Sequence, residues 1–274
     1  MRVLITADLE GASGVVGLEQ AGEAYQAARR WLTGDINAAV EGAMEAGATS
    51  FVVHDGHRQG QETILLDELH PAAEVVRGRP IILCEEADLA RGYDGAFLVG
   101  MHARPGQPAV LGHCCAWPLV REVRLNGQPV GEAELVATLV GAYGIPTLLV
   151  TGDDRVCLDV QRWSSGKIEA AVVKYALSRY TARCLPLIEA RERIRIAARQ
   201  AVERLPQARA FVAAAPVDLE VELDEREAAR RVAWMPQVAY DGERTLHYAH
   251  ADYRQVYRAF LAMLAIATSP FAAP

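Results

Sequence analysis

The chain has 274 residues, 51% of them hydrophobic, enough to bury the core of one large α/β domain or of one domain plus a smaller one. Its formal net charge is −7 and Lys and Arg gather into no stripe, which argues against nucleic acid as a partner, because phosphates call for a basic footprint. No apolar run reaches the roughly eighteen residues of a membrane span, and Asp8 and Glu10 break up the apolar N-terminus, so it does not read as a signal peptide.

Residues 2–7 (RVLITA) read as a buried strand, followed by the Gly-rich loop LEGASGVVG. A helical pattern runs from Gly22 to Ala46 and stops near Gly47. Residues 49–55 form the next predicted strand, 65–69 a short helical turn stopped by Pro71, 80–84 (PIILC) a further strand, and 95–103 a clearer one that delivers His102 at its end. Asn126-Gly127 closes VRLNG as a hairpin turn signal. A helix is predicted over 130–144, a strong buried strand over 145–154, and a strand over 168–175. A helix covering 189–205, an alternating half-exposed strand over 217–224 and a helix over 252–267 complete the reading. Repeated strand–helix–strand order predicts an α/β fold with a mostly parallel sheet and helices on both faces, followed by a smaller α+β region. The expected division is 1–165 as the α/β metal-binding core, 166–184 as a connecting segment, and 185–274 as the smaller region, completing the fold and making subunit contacts.

Ligands of such sheets bind outside the C-terminal strand ends, and Asp8, His57, His102 and Asp153 all fall at such ends. Asp8 and Glu10 lie two apart on one side of an extended segment, placed to reach one ion or to let Asp8 bridge two. His57 is preferred as a ligand over His54, which lies within its strand, with Asp55 available to orient it. Glu132 opens a helix and serves only if it points back to the sheet edge; the alternative is an acid in a favourable first turn. His113 is a general acid or base, a further ligand or a satisfied buried group. Asp153 is structural, a support to a ligand, or a ligand, and Lys174, Ser178 and Arg179 would add positive charge near a substrate. The five cysteines include no CxxC pair and read as reduced thiols of a cytoplasmic protein; Cys114 and Cys115 are possible soft ligands, although carboxylates and imidazoles already fill a site. Carboxylates with imidazoles suit zinc-type metals. The residues themselves reach a mononuclear or dinuclear metallohydrolase and do not choose among amide, phosphate and ester substrates.

These segments resemble the zinc-dependent D-aminopeptidases of the DppA type, peptidase family M55, over nearly the whole chain. The matching motifs are DLEGASG from Asp8, HDGH from His54, LHPA from Leu69, GMHAR from Gly100 and Gly112-His113. They continue with NGQPVGE from Asn126, GDDR from Gly152, and KYALSR from Lys174 followed by CLP from Cys184. The resemblance implies two Zn²⁺ ions per subunit on Asp8, Glu10, His57, His102 and Glu132, with Asp8 as the bridge and His113 as the catalytic residue. It also implies a homodecamer of two stacked pentameric rings, and removal of N-terminal D-residues from short peptides such as D-Ala-D-Ala by a metal-activated water. Alternatives are a metallohydrolase of L- or β-linked peptides or another amide and, further off, a metal-dependent phosphatase or a non-enzymatic metal-binding protein. His54 stands where Asn is common, Gly56 where Ser is common, and Cys114 and Cys115 replace the more usual Ser and Met. None of these removes a ligand, but they alter the walls around the metals.

Overall fold

The computed structural model describes residues 1–17, 22–57, 62–78 and 86–269. In chain order its elements begin with β1 (Arg2–Ala7), α1 (Gly22–Glu45), β2 (Ser50–Asp55), β3 (Ala73–Val76), β4 (Gly95–Met101), β5 (Val120–Leu125), β6 (Gln128–Pro129) and α2 (Glu132–Ala142). They continue with β7 (Thr147–Asp153), α3 (Asp154–Trp163), β8 (Glu169–Ser178), β9 (Thr181–Cys184), α4 (Leu187–Glu203), β10 (Val217–Leu223), α5 (Arg226–Val232), β11 (Ala239–Tyr240), β12 (Thr245–His250) and α6 (Tyr253–Thr268). The strand expected over 80–84 lies outside the described residues.

The large sheet has the order β3-β2-β1-β4-β7-β8-β9. Every neighbouring pair is parallel except β8 with β9, a C-terminal antiparallel edge. The apolar runs of β1, β4 and β7 are buried on both faces, as centrally placed parallel strands must be. Alternate residues serve opposite faces. Val3, Ile5, Phe97 and Val99 join one core with α1 and α4, while Leu98 and Val150 pack on the other face with α2 and α3. The predicted α/β architecture with helices on both faces is therefore the one observed.

A second sheet, β11-β12-β10-β5-β6, is antiparallel and packs with α2 and α6 around its own core. Asn126 and Gly127 join β5 to β6, both with positive φ (49° and 76°), as the sequence signal requires. The sheets cross the boundaries read from the chain. β5 and β6 belong to the second sheet although they precede residue 165, and the supposed connecting segment 166–184 supplies β8 and β9 of the first. α4, expected in the smaller region, packs on α1 and the large sheet. The cause is long-range pairing, Leu125 with Leu219 and Val123 with Val221.

β1 continues to β2 on one side, and the chain returns to place β4 on the other. The carboxyl ends of β1 and β4 therefore flank the topological switch point, where open α/β sheets bind ligands.

Candidate metal centre

The loop after β1 is pressed onto the end of β4. Asp8 N–H donates to the Val99 carbonyl at 2.9 Å and Gly11 N–H to the Gly100 carbonyl at 2.8 Å. A Cβ at Gly11 would lie 1.8 Å from the Met101 carbonyl oxygen, and Gly100 (φ 77°) would meet the Asp8 carbonyl at 2.0 Å. Only glycine permits this approach at either position. It sets Asp8 between His57, which follows β2, and His102, which follows β4.

Five expected residues converge there. His57 Nδ1 lies 3.1 Å from Asp8 Oδ1 and 2.9 Å from Glu10 Oε2. His102 Nε2 lies 3.3 Å from Asp8 Oδ2 and 3.2 Å from Glu132 Oε1. Glu132, the first residue of α2, does turn back to the sheet edge. Glu134 supports that start by accepting the Gly131 N–H at 2.8 Å, which leaves Glu132 free of capping duty. Asp8 is the one carboxylate that addresses both imidazoles, one oxygen to each.

Donor atoms about 2.0–2.1 Å from a tetrahedral ion stand about 3.3 Å from one another, close to these separations. Asp8 Oδ2 and His102 Nε2 are buried without a well-aligned hydrogen bond, an arrangement that is costly unless another group satisfies them. His102 donates through Nδ1 to its neighbour's carbonyl, Ala103 O, at 3.1 Å, so Nε2 is the nitrogen turned to the cluster. The donor set thus fits a divalent metal.

Electrostatics call for positive charge at the same point. Burial disfavours charge on His57, yet its bonds to Asp8 and Glu10 outweigh burial and push it up to about 10. Burial likewise opposes charge on His102, but Glu132 and Asp8 drive it well above the ordinary histidine range. Burial would raise Asp8 and Glu132, while His57 and His102 hold the first, and His102 the second, below the usual carboxylate range. A bound cation would replace these protons as the counter-charge.

His113 lies beside the cluster. Its ring stacks on His102 with centroids 4.0 Å apart, and its Nε2 is 3.9 Å from Glu132 Oε1. Nδ1 donates to the Leu111 carbonyl at 2.8 Å, leaving Nε2 to accept a proton. Burial and the neighbouring charge of His102 push His113 below its ordinary value.

The surrounding residues are supports. Asp153 Oδ1 caps α3 by accepting the Arg155 and Val156 N–H groups, and its Oδ2 accepts the Val110 N–H at 2.9 Å. Asp55 accepts the Thr63 and Ile64 N–H groups rather than orienting His57. His54 is buried and bonds Asp88 at 2.8 Å, as a strand histidine should. Lys174, expected near a substrate, is instead fully buried beneath the first loop. Its Nζ donates to the carbonyls of Glu10 (2.6 Å), Ala12 (2.9 Å) and Val15 (2.6 Å), using all three donors on the segment that carries Glu10. Sequence reading missed this role; the available signal was a lone lysine inside the apolar strand AVVKYA. Arg179 braces the other side, its Nη1 donating to the Gly112 carbonyl at 2.6 Å and its own carbonyl accepting the Leu111 N–H.

Known proteins resemble this chain over nearly its whole length. The family model described as D-aminopeptidase, peptidase family M55, matches residues 1–262. A Bacillus subtilis (strain 168) protein named D-aminopeptidase is 27% identical over 273 residues, covering 97% of this chain and 98% of that protein. A solved structure described as the Zn-dependent D-aminopeptidase DppA from Bacillus subtilis, a self-compartmentalizing protease, superposes with a TM-score of 0.90 at 25% identity. That alignment covers 99% of this chain and 100% of the other.

Proposed function

The chain belongs to the D-aminopeptidases of peptidase family M55, a metallo-aminopeptidase family, and from that membership we propose that it removes N-terminal D-residues from short peptides such as D-Ala-D-Ala at the β1/β4 edge. The observation that carries this reading is the convergence of Asp8, Glu10, His57, His102 and Glu132, with buried Asp8 Oδ2 and His102 Nε2 left without a well-aligned hydrogen bond.

Asp8, Glu10 and His57 would hold one zinc, and Asp8, His102 and Glu132 a second, with Asp8 between them. Three carboxylates carry −3 and two divalent ions +4, so a pair of ions leaves the buried cluster near neutrality where three bare carboxylates would not. Zinc in such a site lowers the pKa of a coordinated water toward about 7 and polarises a carbonyl. His113 Nε2 then serves as the proton acceptor beside the reacting water, or steadies the oxygen on which negative charge develops. Its lowered proton affinity keeps it in the accepting form. Lys174 and Arg179 hold the segments bearing Glu10 and His113 in register and take no part in proton transfer.

The assembly we propose is the homodecamer of two stacked pentameric rings. Exposed Ile188 (83%) and Trp234 (81%) support contact surfaces of this kind. No helix among the described residues is long and apolar enough to cross a membrane. The free thiols of Cys114, Cys115, Cys157 and Cys184 support a cytoplasmic location.

The test is release of amino groups from matched D-Ala-D-Ala, L-Ala-L-Ala and a β-linked dipeptide by the purified, zinc-loaded protein. Release from the D-substrate alone supports the reading. Release mainly from the L- or β-substrate moves the specificity, and silence on all three with zinc bound refutes it.

A further inference from the structure

Cys114 and Cys115 directly follow His113 and have no part in the chemistry above. Donor atoms of Cys114, Cys115 and Glu132 all lie within 4.8 Å of one another. Cys115 has φ 50°, an uncommon conformation for a residue other than Gly, Asn or Asp. Its backbone N–H donates to Glu132 Oε1 at 2.5 Å, the same oxygen that faces His102.

A single buried cysteine is ordinary apolar filling. Two adjacent thiols beside a carboxylate are a different chemical object. Sulphurs about 2.3 Å from a tetrahedral ion stand about 3.8 Å apart, within the observed spacing. Thiolates prefer soft cations, whereas the five-residue cluster is built of harder nitrogen and oxygen donors.

We infer that Cys114, Cys115 and Glu132 form a capture site for a thiophilic divalent cation, such as Cd²⁺ or zinc beyond the catalytic complement, and that its occupation inhibits the enzyme by drawing Glu132 away from His102. Each thiol loses its proton to solvent as its sulphur–metal bond forms, so two protons leave per ion captured. Capture depends on these three residues alone, while inhibition rests on the peptidase reading.

The experiment titrates Cd²⁺ into the zinc-loaded full chain, following the ultraviolet thiolate-to-cadmium charge-transfer band, zinc release to a chromogenic chelator, and dipeptide hydrolysis. The wild type should develop the band to about one equivalent, with hydrolysis falling in parallel. The Cys114→Ser/Cys115→Ser protein should lose the saturating band and keep its rate at the same Cd²⁺. Cys115→Ser alone spares the enclosed Cys114 and guards against misfolding; it should weaken cadmium binding by about tenfold or more. A band of equal strength in the doubly substituted protein would put cadmium on other cysteines and overturn the site. Equal zinc release from wild type and variant would put cadmium in the main cluster and also overturn it. If no dipeptide is hydrolysed at all, the peptidase reading fails, while the band still decides the capture site.

Discussion

The imidazole rings of His102 and His113 stack with centroids 4.0 Å apart and planes 9° from parallel. One ring turns Nε2 to Asp8 and Glu132; the other, held by the Leu111 carbonyl, keeps Nε2 beside the same cluster. Sequence alone leaves His113 as a general acid or base, a further ligand or a satisfied buried group. Its nitrogen lies 3.9 Å from the nearest Glu132 oxygen, outside the tighter spacing of the five-residue set. His113→Ala is therefore predicted to keep zinc and to lose activity on the order of 100-fold or more, as removal of a proton-transfer group does. Paired zinc analysis and kcat measurement check this; turnover within about twofold of wild type would remove His113 from the chemistry.

Asp8 addresses both histidines and Glu10 only His57. Asp8→Ala is predicted to cut zinc binding for the whole cluster, and Glu10→Ala to weaken the His57 side while sparing the other. Zinc content after equilibrium dialysis against a graded chelator distinguishes them. Equal losses in the two variants would argue against Asp8 as the shared ligand.

Lys174 ties three loop carbonyls with one buried ammonium. Lys174→Met leaves those acceptors unsatisfied, at about 1–3 kcal/mol each, so several kcal/mol of stability should be lost. Zinc affinity should drop by about tenfold or more, because the loop that presents Glu10 is no longer fixed. Urea unfolding and chelator competition measure the two effects. Lost stability with unchanged zinc affinity would reduce Lys174 to a purely structural role.

Asp35 is fully buried under the same loop, accepting the Ser13 N–H at 2.8 Å, with Arg191 of α4 3.9 Å away and Lys174 of β8 nearby. Burial raises it from 3.8 to about 6, despite the Ser13 bond and these cations. The folded chain thus holds this proton more tightly than the unfolded chain. Its contribution to stability is fully present below about pH 4 and lost as pH rises through about 6. Relative to Asp35→Asn, wild-type stability should fall by up to roughly 3 kcal/mol between pH 4 and pH 7. Unfolding curves of both proteins across that range provide the check; a difference that does not change with pH would contradict it.

Much of the fold was legible because β1, β4 and β7 are continuous apolar runs, and strands buried on both faces leave that signature. Asp8, His57 and His102 could be placed together because each follows such a strand, or its neighbour, at a carboxyl end. The partition of the chain was not legible. Nothing local to Val123 or Leu125 announces pairing with Val221 and Leu219 almost a hundred residues on, which builds the second sheet across the expected boundary. The support residues were hidden for a related reason. Lys174 sits in β8 but acts on the loop after β1, and Asp153 reaches from β7 to the backbone of Val110. Such contacts are made by topology, and spacing along the chain does not encode them.

The most direct test of the account is hydrolysis of D-Ala-D-Ala as zinc is returned to chelator-stripped protein. The prediction is no turnover without zinc, a rise that levels off at two equivalents per chain, and no comparable release from L-Ala-L-Ala. Turnover in the stripped protein, or none with zinc bound at Asp8, Glu10, His57, His102 and Glu132, would contradict it.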